Sequence, residues 1–316
     1  MDTAPSNQTD ADRVAASADF GRGSEVTLSV VAPAHNEEAN VVPLVEEVGR
    51  ALVVLAERFP EHFPDGFDSA EFVLVDDGST DETRNRAAAL QVDRPWLRVL
   101  AMTETPPGRG NGQSAAFHAG FRAARGRFVA VLDADLQNDP ADLPAMFEKL
   151  VTVGADMVQG DRSHARQDNR VRKLGSNVGR LFRRLILGDS IRDTGCSLRI
   201  MRREIALAIP LEFKGMHRFI PVSARHLGFR VVETPVNHRP RVAGEPKYGL
   251  GITQRALPGL VDCFAVRWMS KRRRPVASRS IEPAAATREQ AGSGADVDGG
   301  SDRVERGDPA VLSDRV

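Results

Sequence analysis

Five apolar runs of strand length alternate with amphipathic segments over the first 160 residues, and this alternation constrains the fold more than any other feature. The runs are EVTLSVVAP (25–33), EFVLVDD (71–77), LRVLAM (97–102), RFVAVLDAD (127–135) and ADMVQG (155–160). Between the first two, residues 38–58 place Val41, Leu44, Val45, Val48, Leu52 and Leu55 at helical spacing. Residues 81–90, 113–124 and 141–153 are expected to be helices as well. Strands apolar on both faces that alternate with helices predict an α/β chain, a mostly parallel sheet covered on both sides. Ligands of such sheets bind outside the carboxyl ends of the strands. The segments that matter are therefore 33–38, 76–80, 103–112 and 133–137.

Past Gly160 the regularity weakens. Residues 172–187 form an amphipathic pattern with Leu174, Val178, Leu181, Phe182, Leu185 and Ile186 on one face. That face is expected to pack against the sheet, with a membrane surface as the alternative. A strand over 196–201, a helix over 219–227, a strand over 229–236 and the segment 249–274 follow. The expected layout is a polar, disordered tail over 1–24, one domain over 25–250, an amphipathic basic helix over 251–275 and a second disordered tail over 276–316. The domain divides into a regular half (25–160) and a less regular half (161–250).

Lys and Arg total 43 and so do Asp and Glu, so the overall charge argues for no nucleic-acid partner. The charge is unevenly placed: residues 162–203 hold twelve Arg and Lys against three Asp, a segment that suits an anion or a solvated face. The two cysteines, Cys196 and Cys263, make no metal pattern or disulfide framework, which fits a reducing compartment. No apolar leader is expected in residues 1–23, and no run approaches the ~18 residues that span a bilayer. The seven histidines contain no HxxxH or HExxH pair, which argues against zinc.

Asp133 and Asp135 stand two residues apart at the end of an apolar run, with Gln137 next and Pro140 opening the following helix. Two like charges at the edge of a core suit a shared hard cation, Mg2+ or Mn2+, which takes carboxylate and amide oxygens. An Asp-capped turn would use the same residues. VDDGST (75–80) ends the second run similarly, with Asp76 or Asp77 available to a base or ribose, Gly78 for the turn and Ser79 or Thr80 for a cap. Pro33 and Glu37 lie in APAHNEE after the first run. GRGNGQ (108–113) is not a phosphate loop, because Gln113 occupies the last glycine position of GxGxxG and no GxxxxGK[ST] exists. HRPRVAGEPKYG (238–249) gathers Arg239, Arg241 and Lys247, cations suited to a diphosphate or phosphorylated acceptor, or to a charged surface loop.

Taken in order, PAHNEE, VDDGST, GQSAAFHAGFRAARG, LDADLQNDP, DTGCSLR and HRFIPV…HRPRVAGEPKYG resemble the family 2 glycosyltransferases, and most closely the dolichyl- and polyprenyl-phosphate sugar transferases. The likeness runs from about Val26 to Arg274. It implies a GT-A fold, a nucleotide-diphospho-sugar donor and a divalent cation. By position, Pro33, His35, Glu37, Asp76 and Asp77 would hold the nucleoside, and Gln113 joins the donor-side candidates. Asp133, Asp135 and Gln137 would hold Mg2+ or Mn2+, Asp193 and Arg199 would lie by the sugar and acceptor, and Arg241 and Lys247 by the phosphates. Catalysis would fall to Asp193, Arg199 and Asp135. Two departures stand out: His35 replaces a frequent Tyr, and Glu245-Pro246 precede Lys247 where a small residue is common.

The implied reaction moves a hexose, from a donor of the GDP-mannose or UDP-glucose and UDP-N-acetylglucosamine type, to a polyprenyl phosphate with inversion. A phosphate acceptor needs positive groups to position it, whereas a hydroxyl acceptor would need a base, for which Asp193 is the candidate. Transfer to a hydroxyl on a polysaccharide or small molecule, and a non-catalytic nucleotide-sugar-binding chain, are the alternatives. LPGLVDCFAVRWM followed by SKRRRP, with Trp268 and the basic run 271–274, is expected to rest on anionic lipid at the cytoplasmic face.

Overall fold

The computed structural model describes residues 26–106, 108–164, 170–240 and 252–274. Both expected tails, Pro107, and the loop carrying Arg241 and Lys247 lie outside the described residues.

Seven strands form one sheet in the order β3-β2-β1-β4-β6-β5-β7. They are β1 (Leu28–Ala34), β2 (Ala70–Asp76), β3 (Leu97–Ala101), β4 (Phe128–Val131), β5 (Met157–Asp161), β6 (Arg199–Arg202) and β7 (Val231–Pro235). β1 pairs in parallel with β2 and β4, β2 with β3, and β5 with β7. Only β6 runs the other way, antiparallel to both β4 and β5.

Both faces are covered, as the doubly apolar strands require. Leu28, Val30 and Ala32 of β1 and Phe72 and Leu74 of β2 point into one core, with Val41, Leu44, Val45 and Val48 of α1 (Val41–Arg58) and Met146 and Phe147 of α4 (Leu143–Thr152). The alternate residues Val31, Val73 and Val75 enter a second core with Phe117 and Phe121 of α3 (Gln113–Ala123). Short α6 (Arg203–Ala208) and α7 (Ile220–His226) complete that side with Ile205, Ile220 and Val222. α3 lies so close to the sheet that a Cβ on Gly120 would come within 2.4 Å of Val31 Cγ1, so this contact requires glycine.

Two boundaries differ from the sequence expectation for local reasons. β4 stops at Val131 instead of running to Asp135, because side chains replace the ladder as acceptors: Asn138 Oδ1 takes the Asp133 N–H (3.2 Å) and Asp135 Oδ1 takes that of Gln137 (3.2 Å). α2 (Thr83–Leu90) begins two residues later than expected, since Asp81 accepts from the Thr83 N–H (3.0 Å) and hydroxyl (2.5 Å) and occupies the turn before it.

The larger difference concerns α5 (Arg170–Leu187). Among the described residues of its apolar face, Leu181, Phe182 and Leu185 are exposed, Leu185 at 70%, while Ile186 and the following Leu187 reach the second core. α5 packs instead on α8 (Ile252–Arg272), which buries Cys263 and Val266 and leaves Val261, Phe264 and Trp268 exposed. Among the described residues, no helix is long and apolar enough to cross a membrane.

Candidate functional site

The order 2-1-4 makes β1 and β4 the strands from which the connections diverge, and the loops beyond their carboxyl ends flank the crevice where such sheets bind ligands. The loops after β1 and β2 are stitched together. Asn36 donates its N–H to Ser79 Oγ (2.9 Å) and accepts from the Thr80 N–H (2.8 Å), adopting a left-handed φ of 53° to do so. The Glu37 N–H reaches Thr83 Oγ1 (2.7 Å), and its carboxylate accepts from the Asn40 amide (2.7 Å). His35 Nδ1 lies 2.8 Å from the Asp77 carbonyl, and Pro33 sits half-buried in β1.

Asp76 and Asp77 are buried and bonded within the protein. Asp76 Oδ2 receives Arg84 Nε and Nη2, each at 2.7 Å, and Oδ1 caps the Ser79 N–H. Asp77 accepts the N–H groups of Asn111 (2.8 Å) and Gly112 (2.7 Å) and so holds the 108–112 loop against β2. A Cβ at Gly110 would fall 2.3 Å from Asp77 Oδ2, which is why the loop needs glycine there. The two carboxylates thus brace the loops that border the crevice. Arg84 and Asn111, their partners, carried no motif in the sequence.

Past β4, Asp133 is gripped at both oxygens: Oδ1 accepts from Gln113 Nε2 (2.5 Å) and Oδ2 from the Ser197 hydroxyl. Burial, and then the neighbouring Asp135 charge, push the Asp133 carboxyl up to about 6. Two neighbouring carboxylates buried at one turn suit a shared cation. Among the described residues no group of three or more His, Cys, Asp and Glu converges, so Asp133 and Asp135 offer two hard oxygens and leave most of a coordination sphere open. That donor set fits Mg2+ or Mn2+ shared with phosphate oxygens and does not fit a closed protein cage. Gln137 follows in the same turn, its N–H on Asp135 and its carbonyl accepting from the Arg239 N–H (3.0 Å).

The loop between α5 and β6 is braced from every side. Arg162 donates to Asp193 through Nε (2.8 Å to Oδ2), Nη2 (3.2 Å to Oδ1) and its own N–H (3.2 Å), and the Gly195 N–H adds a bond to Oδ1 (3.1 Å). Burial works against the Arg162 charge, but the hydrogen bonds and charge of Asp193 outweigh it and hold the guanidinium above its ordinary value. Glu233 on β7 accepts from the Arg192 N–H (2.7 Å), and Gln159 on β5 donates to the Cys196 carbonyl (2.9 Å). Arg183 of α5 donates to Thr194 Oγ1, which ties the loop to the exposed helix pair.

Arg199, expected beside the sugar, is 2% exposed and spends its donors on main-chain carbonyls: Nε on Ser197 (3.0 Å), Nη1 on His217 (3.1 Å) and Nη2 on Cys196 (2.6 Å). Burial lowers it to about 10, which leaves it charged at neutral pH. Its geometry is that of a brace for the loop. His217 beyond it faces Ser114 Oγ (Nδ1 at 2.8 Å), and burial, then Arg218 and Arg199, lower the imidazole to about 3. Arg239 likewise is a strut, on Glu47 (2.7 Å) and Asp139 (2.5 Å). Arg162 and Glu233, which brace this loop, lie in no motif, and Ser197 lies within DTGCSLR without any signal of its bond to Asp133; the signal available for Arg162 was only the basic excess of its segment.

Residues 29–209 match the sequence profile described as glycosyl transferase family 2. Dodecaprenyl-phosphate galacturonate synthase of Rhizobium johnstonii is 38% identical over 247 residues, covering 77% of this chain and 68% of that protein. Undecaprenyl-phosphate 4-deoxy-4-formamido-L-arabinose transferase of Aeromonas hydrophila is 35% identical over 239 residues, 75% of this chain and 67% of that one. Among solved structures, glucosyl-3-phosphoglycerate synthase from Mycobacterium tuberculosis, in complex with Mn2+, UDP and phosphoglyceric acid, superposes with a TM-score of 0.55 at 21% identity, covering 82% of this chain and 84% of that one. This last likeness speaks to the fold, a GT-A arrangement.

Proposed function

The chain belongs to glycosyl transferase family 2, and we propose that it transfers a hexose, with inversion, from a nucleotide-diphospho-sugar to a polyprenyl phosphate at an anionic membrane surface. The observation that carries the donor side is the Asp133–Asp135 pair, two neighbouring carboxylates buried at the carboxyl end of β4 beside the strand divergence. The acceptor class is supported by the polyprenyl-phosphate relatives.

Residues 25–160 would take the donor. Pro33, His35 and Glu37 line the nucleoside side, while Asp76 and Asp77 hold the walls in place. A Mg2+ or Mn2+ ion held by Asp133, Asp135 and Gln137 would neutralise the charge developing on the diphosphate leaving group. Gln113 orients Asp133 from the head of α3. Residues 161–250 would take the acceptor. A phosphate monoester has a second pKa near 6 and is already ionised at neutral pH, so the nucleophile needs cations and alignment more than a base. Asp193 suits alignment, because both its oxygens already accept bonds from Arg162 and the Gly195 N–H. Arg199 supports it indirectly through the loop, and Arg241 and Lys247 would complete the phosphate contacts.

The lipid side would use α5 and α8 (within 251–275). Exposed Leu181, Phe182, Leu185, Phe264 and Trp268, with exposed Arg180, Arg184 and the basic run 271–274, combine apolar surface with positive charge. That pairing suits the headgroup region of anionic lipid at the cytoplasmic face.

The test is a panel of radiolabelled donors, GDP-mannose, UDP-glucose, UDP-N-acetylglucosamine and a nucleotide-activated galacturonate, offered with polyprenyl phosphate and either cation. Label entering the organic phase from one donor supports the proposal. Label reaching only hydroxyl acceptors would replace the lipid acceptor with a hydroxyl.

A further inference from the structure

Asp133 and Ser197 face each other across the continuation of the β4–β6 ladder. The antiparallel register ends on Val131 opposite Arg199. Two steps onward along β4 and two steps back along the entry to β6 stand Asp133 and Ser197. Residues opposed in this way present their side chains on one face, within contact distance. The Ser197 hydroxyl uses that placement to donate to Asp133 Oδ2.

Neither partner has slack. The Ser197 carbonyl is held by Arg199 Nε (3.0 Å), and the preceding Cys196 carbonyl by Arg199 Nη2 (2.6 Å) and Gln159 Nε2 (2.9 Å). The hydroxyl is therefore delivered from a braced loop, and Ser197 itself is buried. On the other side, Gln113 Nε2 takes Asp133 Oδ1 at 2.5 Å. A carboxylate rotates about two side-chain bonds, and two donors from opposite sides fix both. Each carboxylate oxygen carries two lone pairs, so one donor per oxygen leaves a lone pair on each for a cation.

We propose that Ser197 is a positioning residue that sets the Asp133 carboxylate for joint coordination of a divalent cation with Asp135. This rests on the cation assignment made under Proposed function, and it adds a residue outside the Asp-x-Asp turn, contributed by the loop that enters the antiparallel strand β6. Hydrogen-bond partners behind metal ligands typically govern affinity by about 10- to 100-fold.

The experiment titrates Mn2+ into the full chain with UDP or GDP present and reads free Mn2+ by its electron paramagnetic resonance signal, so that no turnover is needed. Wild type, Ser197→Ala, Ser197→Cys, Ser197→Thr and Asp133→Ala are compared, with melting temperature measured on each. We expect Ser197→Ala to weaken Mn2+ binding about tenfold, Ser197→Cys, of similar size but a poor donor, to weaken it similarly, and Ser197→Thr to restore it. Asp133→Ala should abolish it. Binding by Ser197→Ala or Ser197→Cys as tight as wild type, with Asp133→Ala inactive in binding, overturns the role of Ser197 and leaves the cation assignment standing. Undiminished binding by Asp133→Ala, or none by wild type with either nucleotide, overturns the cation assignment and this proposal with it.

Discussion

The guanidinium of Arg162 and the carboxylate of Asp193 meet edge to edge, 2.8 Å from Nε to Oδ2 and 3.2 Å from Nη2 to Oδ1, with side chains only 11% and 4% exposed. A desolvated pair of this kind is costly to break from one side, because the remaining charge is stranded. We expect Arg162→Ala to destabilise the protein by about 3–5 kcal/mol. Chemical denaturation reads this directly. A loss under about 1 kcal/mol would mean that water, and not Arg162, solvates Asp193.

Asp133 and Asp193 should separate in kinetics. On the proposed function, in which Asp133 would hold a cation, losing that carboxylate costs several kcal/mol of transition-state stabilisation, so Asp133→Asn should lower kcat by about 100-fold or more. Asp193→Asn keeps one acceptor for Arg162 and should lose markedly less. The reverse order would make Asp193 the general base and favour a hydroxyl acceptor.

His217 makes stability depend on pH. Its folded pKa, about 3, lies below the ordinary value of 6.5, so the unfolded chain binds the proton first and stability falls as pH drops from 6.5 toward 3. At pH 5 the loss from this group is about 2 kcal/mol. Asp133 acts in the opposite sense, since its carboxyl is raised to about 6 and takes up a proton in the folded state. The difference between wild type and His217→Gln, measured by denaturation with chelator present, isolates the histidine. Parallel pH profiles for the two would contradict the burial of a neutral imidazole.

Leu185→Ser and Trp268→Ser, made together, should leave stability within about 1 kcal/mol, since both side chains are exposed. Binding to anionic vesicles should weaken by about tenfold and decline with salt. Vesicle flotation tests this. Wild type that stays unbound to anionic vesicles at low salt would remove the membrane surface from the proposed function.

Much of this architecture was readable from local pattern. Val30 and Val31, Phe72 and Val73 alternate between two cores, which is why their runs read as doubly buried parallel strands. What escaped notice depends on long-range pairing. Nothing in DTGCSLR states that Ser197 faces Asp133, because that follows from an antiparallel register 64 residues apart. The Asp76–Arg84 pair and the grip of Asp77 on the 108–112 loop are likewise partnerships that motif spacing does not encode. The apolar face of α5 was evident, but an amphipathic period does not say what the face meets: the helix packs on α8, with Leu181, Phe182 and Leu185 exposed and Ile186 against the second core.

The most direct measurement is sugar transfer to polyprenyl phosphate in anionic vesicles, by wild type and by an Asp133→Ala, Asp135→Ala double variant, each stripped by chelator and then given Mn2+ or Mg2+. We expect wild type to label the lipid only after the cation is returned, and the folded double variant to label none. Lipid labelling that survives chelation, or survives loss of both carboxylates, would contradict the central claim that the β4 turn works through a cation.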